Sequence, residues 1–324
     1  MTDRPITRLA PSPTGALHLG NALTFLSTWA LARQAGWTIL LRIEDLDTPP
    51  VKAGADRQVI EDLAWLGIDW DEGPVYQRAD LKPYQAALDR LHRAGHVYPC
   101  ACTRRDLESA ASAPHAGDHE VRYPGTCRPA PGAPAPPPPV LDGRPQPAAW
   151  RLRAPDGSRA VRDLRLGERT FDIQREAGDF VVATKAGLPA YQLAVVVDDA
   201  RQGVTDVVRG EDLLASAARQ DLLYELLGLG PPPRYQHLPL VVGPDGLRLA
   251  KRHGDTRIAA YREAGVPAGR VIGLLAHWCG MNEVRAPMAA GEFLKRFDAD
   301  RLPRGPVVLA AGDEAWLRGG KSVG

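Results

Sequence analysis

His18, Gly20 and Asn21 stand where the turn-rich stretch Pro11-Ser12-Pro13-Thr14-Gly15 gives way to a run, Leu19 to Gln34, that is apolar at helical spacing through Leu23, Leu26, Ala30 and Leu31. A glycine-containing turn feeding a helix start gathers backbone N–H groups and the positive end of the helix dipole at one spot, and such a spot receives phosphate. There His18 can donate to a phosphate oxygen, and Gly20 lets an adenine or ribose approach closely. A bare His-x-Gly says little by itself, because a helix-start histidine among turn glycines has the same spelling.

Two other groups are chemically marked. Arg248-Leu249-Ala250-Lys251-Arg252 concentrates cations. A positioned ammonium such as that of Lys251 stabilises the charge that builds on a departing pyrophosphate, although a basic surface turn has the same composition. Cys100-Ala101-Cys102 and Tyr123-Pro124-Gly125-Thr126-Cys127 form the second group. Zinc takes four ligands in a tetrahedron, usually thiolate or imidazole. Spacing alone offers Cys100, Cys102 and Cys127 with His115 or His119 as the fourth, and it also fits three reduced, partly buried cysteines.

These residues need a scaffold. A short β-compatible stretch leads into Arg8 to Ala10, the helix follows, and Thr38 to Ile43 (TILLRI) reads as a buried strand. Strand, loop, helix, strand is the opening of a doubly wound, parallel-sheet α/β fold of Rossmann type, whose ligands sit at the carboxyl ends of the strands. Helical patterns recur at Ala55 to Leu66 and Pro83 to Ala94. Between about Tyr98 and Pro147 the pattern changes to the cysteine cluster and a proline-rich run, Pro129 to Pro147. That run has too few large apolar residues for a core and is expected to be an exposed, PPII-like loop. Short alternating segments follow at Trp150 to Arg153 and Thr170 to Ile173. Leu193 to Asp199 is expected as a second buried strand, Thr205 to Arg209 as a third, and Glu211 to Leu227 as a helix. Beyond Lys251 the chain reads as helical, with Val271 to Cys279 apolar, and Gly319 to Gly324 as frayed. The expected division is a first half of the catalytic domain over 1–97, an inserted subdomain over 98–190, the second half over 191–255 and a helical region over 256–324.

The 324 residues carry a formal net charge of +1, which argues against nonspecific coating of nucleic acid while leaving room for a local basic surface. No run of about 18 apolar residues calls for a membrane span. Met1 to Arg8 lacks the apolar core of a signal peptide, and four cysteines do not make a secreted disulfide framework. A cytoplasmic location is the expectation.

Read together, the strings narrow the field. Arg8-Leu9-Ala10-Pro11-Ser12-Pro13-Thr14-Gly15 with His18-Leu19-Gly20-Asn21 resembles the HIGH signature of class I glutamyl-type aminoacyl-tRNA synthetases. Arg42-Ile43-Glu44-Asp45-Leu46-Asp47 resembles that family's R-I-E-D-T-D segment. Tyr191 to Asp199 and Val208-Arg209-Gly210-Glu211-Asp212-Leu213 resemble two more of its segments. Arg248 to Arg252 is similar to a degenerate KMSKS loop, with Arg248, Ala250 and Arg252 replacing a lysine, a serine and the last serine while cations remain. The resemblance runs from Arg8 to about Ala264. It implies ATP as a substrate with Mg²⁺, His18, Gly20, Asn21 and Lys251 at the nucleotide, and His18 and Lys251 as the catalytic pair. It implies L-glutamate as the amino acid. Arginine suits a carboxylate because its fork can hold both oxygens; Arg8 and Arg209 take that role, Glu44 meets the ammonium, Tyr191 adds a hydrogen bond, and Leu9, Ala10, Pro11 and Ser12 line the pocket. Shorter relatives show the same C-x-C, Y-x-x-x-C arrangement, which implies one structural Zn²⁺ on Cys100, Cys102, Tyr123 and Cys127. Arg151, Arg153, Arg159, Arg162, Arg165, Arg169 and Arg175 are as compatible with a tRNA backbone as with a solvated face.

Too few residues follow Lys251 for a further domain of typical size, about 100–150 residues, so the anticodon-reading modules of a full glutamyl-tRNA synthetase are not expected. The chain resembles the truncated branch of that family, which attaches glutamate to the queuosine base at the wobble position of tRNA(Asp). Queuosine carries a cis-diol that imitates the diol of a terminal ribose, and proteins usually read RNA at splayed, single-stranded loops. The resemblance implies activation without tRNA, by a monomer. Rival readings are a truncated synthetase charging tRNA(Glu), an inactive tRNA-binding paralogue, and a nucleotidylyltransferase lacking the Glu44, Tyr191 and Arg209 constellation.

Overall fold

The computed structural model describes residues 4–13, 16–46, 53–103, 105–107, 122–130, 132–134, 136–247, 249 and 255–319. Thr14, Gly15, Asp47, His115, His119, Arg248, Ala250, Lys251 and Arg252 lie outside them, as do the last residues from 320.

Three parallel strands open the chain: β1 (Ile6–Leu9), β2 (Thr38–Ile43) and β3 (Glu72–Tyr76), in that spatial order. The crossover from β1 to β2 is helix α1 (Leu19–Ala35), and β2 leads to β3 through α2 (Ala55–Trp65). α1 stops at Gly36, whose positive φ of 69° lets its N–H return to the carbonyls of Ala32 and Arg33. α3 (Lys82–Arg93) then leads into the antiparallel sheet β4 (Val97–Cys100), β5 (Ala149–Leu152) and β8 (Phe180–Ala183).

A second mostly parallel sheet holds β6 (Arg159–Asp163), β7 (Gly167–Phe171), β9 (Asp206–Gly210) and β10 (Arg234–Leu238), in the order β7-β6-β10-β9. It meets the first sheet edge to edge, where the Thr205 N–H donates to the Ile6 carbonyl at 2.9 Å. The strands alternate between two cores, as the period of two demands. Val208 and Leu9 face the core under α1 and the C-terminal helices, whereas Val207 and Ile6 face the core built with α3 and the helices 191–201 and 214–227. Helices on both faces make the sheet doubly wound, as expected. The segment 98–190 serves two sheets, since β6 and β7 extend the one that contains β9 and β10.

Leu193 to Asp199 is not a strand. It lies within the helix Tyr191–Arg201, and every residue from Gln192 to Asp199 is buried. A helix covered on all sides shows no amphipathic period, and a short apolar run cannot then be told from a core strand. The proline-rich run is only partly exposed. Pro139 and Leu141 are buried, and Gln85 on α3 fastens the run, donating to the Pro139 carbonyl and accepting from the Leu141 N–H.

The C-terminal region has helices at Ile258–Glu263, Ala268–Trp278, Ala290–Arg296 and Ala311–Leu317, and a small parallel pair, β11 (Val241–Val242) with β12 (Val307–Val308). Its first residues are sewn to the start of α1: Leu19 N–H donates to Thr256 O at 3.1 Å and Ile258 N–H to Leu17 O at 2.7 Å.

Candidate active site

Arg8 stands near the carboxyl end of β1, Glu44 one residue past β2, and Arg209 near the end of β9. Parallel strands carry all three to one edge, where a cleft of ≈ 270 Å³ opens. Of the residues expected at the site, Arg8, Ala10, His18, Gly20, Asn21, Glu44, Tyr191 and Arg209 line it. Leu9 does not: alternation along β1 buries its side chain fully in the core. Pro11 is buried too, and its carbonyl accepts from the Glu44 N–H at 3.0 Å, fixing the loop under the cleft. Ser12 is half-buried and not a lining residue.

The floor is a charge network. Arg42 is fully buried, with Nη1 2.7 Å from Asp199 Oδ1, Nη2 3.2 Å from Glu44 Oε1 and Nε 3.9 Å from Asp198 Oδ2. Burial alone would lower the Arg42 pKa, but the three carboxylates more than offset it and raise it. Arg8 Nε lies 3.4 Å from the same Asp199 oxygen. Glu44 therefore enters the cleft with its carboxylate tethered from below. Burial is the largest influence on it, outweighing Arg42 and Arg8, and holds its pKa above the ordinary value. A carboxylate so placed gains from a ligand cation, which supplies the charge its surroundings lack.

Arg209 is 5% exposed. Its Nε donates to His237 Nε2 at 3.0 Å, Nη1 to Gln220 Oε1 at 2.8 Å and Nη2 to the Leu213 carbonyl at 3.2 Å. Tyr191 is the first residue of the helix 191–201, so the buried helix rather than a strand delivers it to the cleft.

His18 is the N-cap of α1. Its Nδ1 accepts from the Gly20 and Asn21 N–H groups at 3.0 and 3.3 Å, and Asn21 Oδ1 accepts from the His18 N–H at 3.2 Å, a reciprocal capping box. The imidazole itself thus engages two of the first amides of the helix. With Nδ1 accepting, a neutral ring carries its proton on Nε2. Gly20 makes room for that ring: a Cβ there would lie 2.9 Å from His18 Cε1.

Lys251 lies outside the described residues, but both flanks of its loop are described. Leu249 lines the cleft, and Thr256 and Ile258 pair with Leu19 and Leu17 on either side of His18.

The sulfur atoms of Cys100, Cys102 and Cys127 lie within 4.8 Å of one another, with Cys102 and Cys127 3.4 Å apart. A tetrahedral zinc with Zn–S of about 2.3 Å sets sulfurs roughly 3.8 Å apart, so the cluster has the right size. Tyr123 O lies 3.5 Å from Cys100 Sγ and accepts from the Cys127 N–H at 2.7 Å, next to the three thiols. Burial works against the Cys127 thiolate, but bonds from the Tyr123 hydroxyl and the neighbouring thiol lower its pKa to about 7. Burial pushes Cys102 up to about 11. Thiols crowded together without a cation resist joint ionisation, and a divalent ion removes that conflict.

Several of the arginines considered for RNA contact are occupied within the fold. Arg151 lies 3.8 Å over the Tyr123 ring and donates to the Asp179 carbonyl. Arg153 donates to Pro129 O, Arg159 pairs with Glu225, and Arg165 donates to the carbonyls of His237 and Pro303. Arg162, Arg169 and Arg175 are exposed. Sequence reasoning quoted Arg42 and Asp199 within motif strings without giving them work, and it did not reach Asp163, His237 or Gln220. The signal for the first pair was an arginine inside an otherwise apolar strand. The others stand singly in unremarkable segments.

The chain matches a family model described as tRNA synthetases class I (E and Q), catalytic domain, over residues 6–310. A curated relative from Symbiobacterium thermophilum, named glutamyl-Q tRNA(Asp) synthetase, is 45% identical over 97% of this chain and 98% of its own length. A glutamate–tRNA ligase from Albidiferax ferrireducens is 38% identical over 98% of this chain but 67% of its own length. Among solved structures, a glutamate-tRNA synthetase from Elizabethkingia anophelis superposes with a TM-score of 0.77 at 25% identity, covering 97% of this chain and 70% of that one.

Proposed function

The chain belongs to the class I tRNA synthetases (E and Q), ATP-dependent ligases that form an aminoacyl adenylate, and on that footing we propose that it activates L-glutamate without tRNA and transfers it to the queuosine base at the wobble position of tRNA(Asp). The observation that carries this reading is the composition of one cleft, lined by Arg8, Arg209, Glu44 and Tyr191 together with His18 and Gly20 of the capped start of α1. Two guanidinium groups suit the carboxylates of an acidic amino acid, and Glu44 suits its ammonium. The name of the 45% identical relative supports the choice of acceptor.

In the first step the glutamate α-carboxylate attacks the α-phosphorus of ATP. A new O–P bond forms, the α–β bridge breaks, and pyrophosphate leaves with the electron pair. His18 through Nε2–H and Lys251 offset the developing negative charge, and Arg8, Glu44, Tyr191 and Arg209 hold the attacking group in line. ATP is taken with Mg²⁺, which supplies positive charge at the phosphates. In the second step a queuosine hydroxyl attacks the adenylate carbonyl, the acyl–oxygen bond to the phosphate breaks, AMP leaves with the electron pair and takes the hydroxyl proton on its phosphate, and an ester remains; positioning carries this step. Cys100, Cys102, Cys127 and Tyr123 would hold one structural Zn²⁺, tying β4 to the segment that carries Tyr123. We assign the divisions 1–97, 98–190, 191–255 and 256–324, cytoplasmic location and a monomeric state within the same reading.

Glutamate-dependent ATP–pyrophosphate exchange in the absence of tRNA tests the first step. Exchange is expected with L-glutamate and is expected to collapse in Lys251→Ala. No exchange in the wild type would remove the activation step.

A further inference from the structure

Arg209 is clamped by a buried relay that crosses three strands. Asp163 closes β6, His237 sits on β10 and Arg209 on β9. His237 is fully buried, and its Nδ1 lies 2.6 Å from Asp163 Oδ2 while its Nε2 accepts from Arg209 Nε at 3.0 Å. An arginine Nε is only a donor, so His237 Nε2 must be unprotonated, and the ring proton must sit on Nδ1, facing the carboxylate. We propose that Asp163 and His237 are positioning residues for substrate recognition, fixing the neutral Nδ1–H tautomer whose Nε2 orients the Arg209 guanidinium toward the carboxylate of an acidic amino acid.

Each link is built. Asp163 Oδ1 accepts from the N–H groups of Arg165 and Leu166 at 2.9 and 2.8 Å, and Oδ2 also accepts from the His237 N–H at 3.0 Å, so the carboxylate cannot rotate. Arg165 donates to the His237 carbonyl, and Tyr235 stacks on the ring with centroids 6.1 Å apart. Burial is the largest influence on His237 and, with Arg209 alongside, lowers its pKa, outweighing Asp163 and the Leu213 carbonyl. Gln192 holds Gln220 from behind, accepting from its Nε2 at 3.1 Å, which turns Gln220 Oε1 toward Arg209 Nη1. Three of the five Arg209 N–H groups are thereby used, leaving one on each Nη. Those remaining N–H groups, on a guanidinium that lines the cleft, are available to a carboxylate. An arginine free to rotate would lose that geometry and could pair with the carboxylates of the floor.

The inference rests on the proposed role of Arg209 in binding glutamate. The test compares Asp163→Asn, His237→Leu and His237→Gln with Arg209→Gln, measuring KM for glutamate and for ATP by pyrophosphate exchange. In Asp163→Asn one acceptor becomes a donor: at the Oδ2 position it opposes the His237 N–H and drives the ring proton onto Nε2, against the Arg209 Nε–H, and at the Oδ1 position it opposes the N–H groups of Arg165 and Leu166, so the clamp is lost either way. Asp163→Asn and His237→Leu are expected to raise glutamate KM by about tenfold to a hundredfold, the scale of one charge-assisted hydrogen bond, with ATP KM nearly unchanged. His237→Gln, whose Oε1 can accept in place of Nε2, is expected to recover much of the loss. A merely structural role would move both KM values and would not be rescued. If Arg209→Gln raises glutamate KM but the Asp163 and His237 variants do not, the positioning proposal fails alone. If Arg209→Gln leaves glutamate KM untouched, the reading of Arg209 fails first. Should a variant not fold, ¹⁵N NMR of the wild type decides: a protonated Nδ1 and bare Nε2 on His237 support the relay, and a protonated Nε2 overturns it.

Discussion

Asp62 on α2 and Arg262 on the helix Ile258–Glu263 meet at 3.1 Å, joining the C-terminal region to the first half of the sheet. Asp62 is fully buried. Its burial, only partly opposed by Arg262, raises the carboxyl from the ordinary 3.8 to about 6. Between those two values the folded chain keeps a proton that the unfolded chain has released, so stability falls as pH rises through the window. Asp62→Asn stays neutral throughout. Its stability relative to wild type is expected to improve by about 1–3 kcal/mol between pH 4 and pH 7. Urea unfolding at the two pH values measures the difference, and a gap that stays constant contradicts the assignment.

Arg42 is the shared counter-ion of Asp199 and Glu44. Removing one partner of a buried ion network leaves the others uncompensated, which costs about 3–5 kcal/mol. Arg42→Met is expected to lose that much on urea unfolding and to raise glutamate KM through the displaced Glu44. A loss below about 1 kcal/mol would mean that the network relaxes and does not anchor the site.

Gly20→Ala tests the packing of the His18 ring. The added methyl lies 2.9 Å from His18 Cε1, and the imidazole must shift. Displacing a catalytic group by about 1 Å costs on the order of a hundredfold. Pyrophosphate exchange should lose roughly that factor in kcat/KM for ATP, with glutamate KM little changed. Unchanged ATP kinetics would show that the ring position is not used.

The thiol cluster makes a stoichiometric prediction. Purified protein should carry about one zinc per chain by elemental analysis, and Cys102→Ser and Cys127→Ser should each carry far less. Chelation should lower Tm while the metal-depleted wild type regains it on adding zinc. A wild type purified without zinc that binds none when supplied would leave the cluster as three reduced cysteines.

The legible parts of the sequence were those where one residue type has one local job. TILLRI, short and β-branched at both ends, follows a helical run and reads as a strand, and the apolar period after His18 and Gly20 marks a helix start. The helix Tyr191–Arg201 was misread because burial on all sides removes the period that distinguishes helix from strand. Within the site, Arg8, Glu44 and Arg209 could be named because they stand in dense motif strings. Their geometry could not, since it depends on β1 and β9 abutting across about 200 residues of chain, as the Arg8 to Val208 hydrogen bond shows. Asp163 and His237 were invisible for the same reason: the distance between them exists only once β6 and β10 pair.

Transfer of labelled glutamate to purified tRNA(Asp), prepared with and without queuosine, identifies the acceptor. Ester formation is expected on the queuosine-containing tRNA alone, with tRNA(Glu) inert. Equal charging of unmodified tRNA(Asp), or charging of tRNA(Glu) instead, would overturn queuosine as the acceptor.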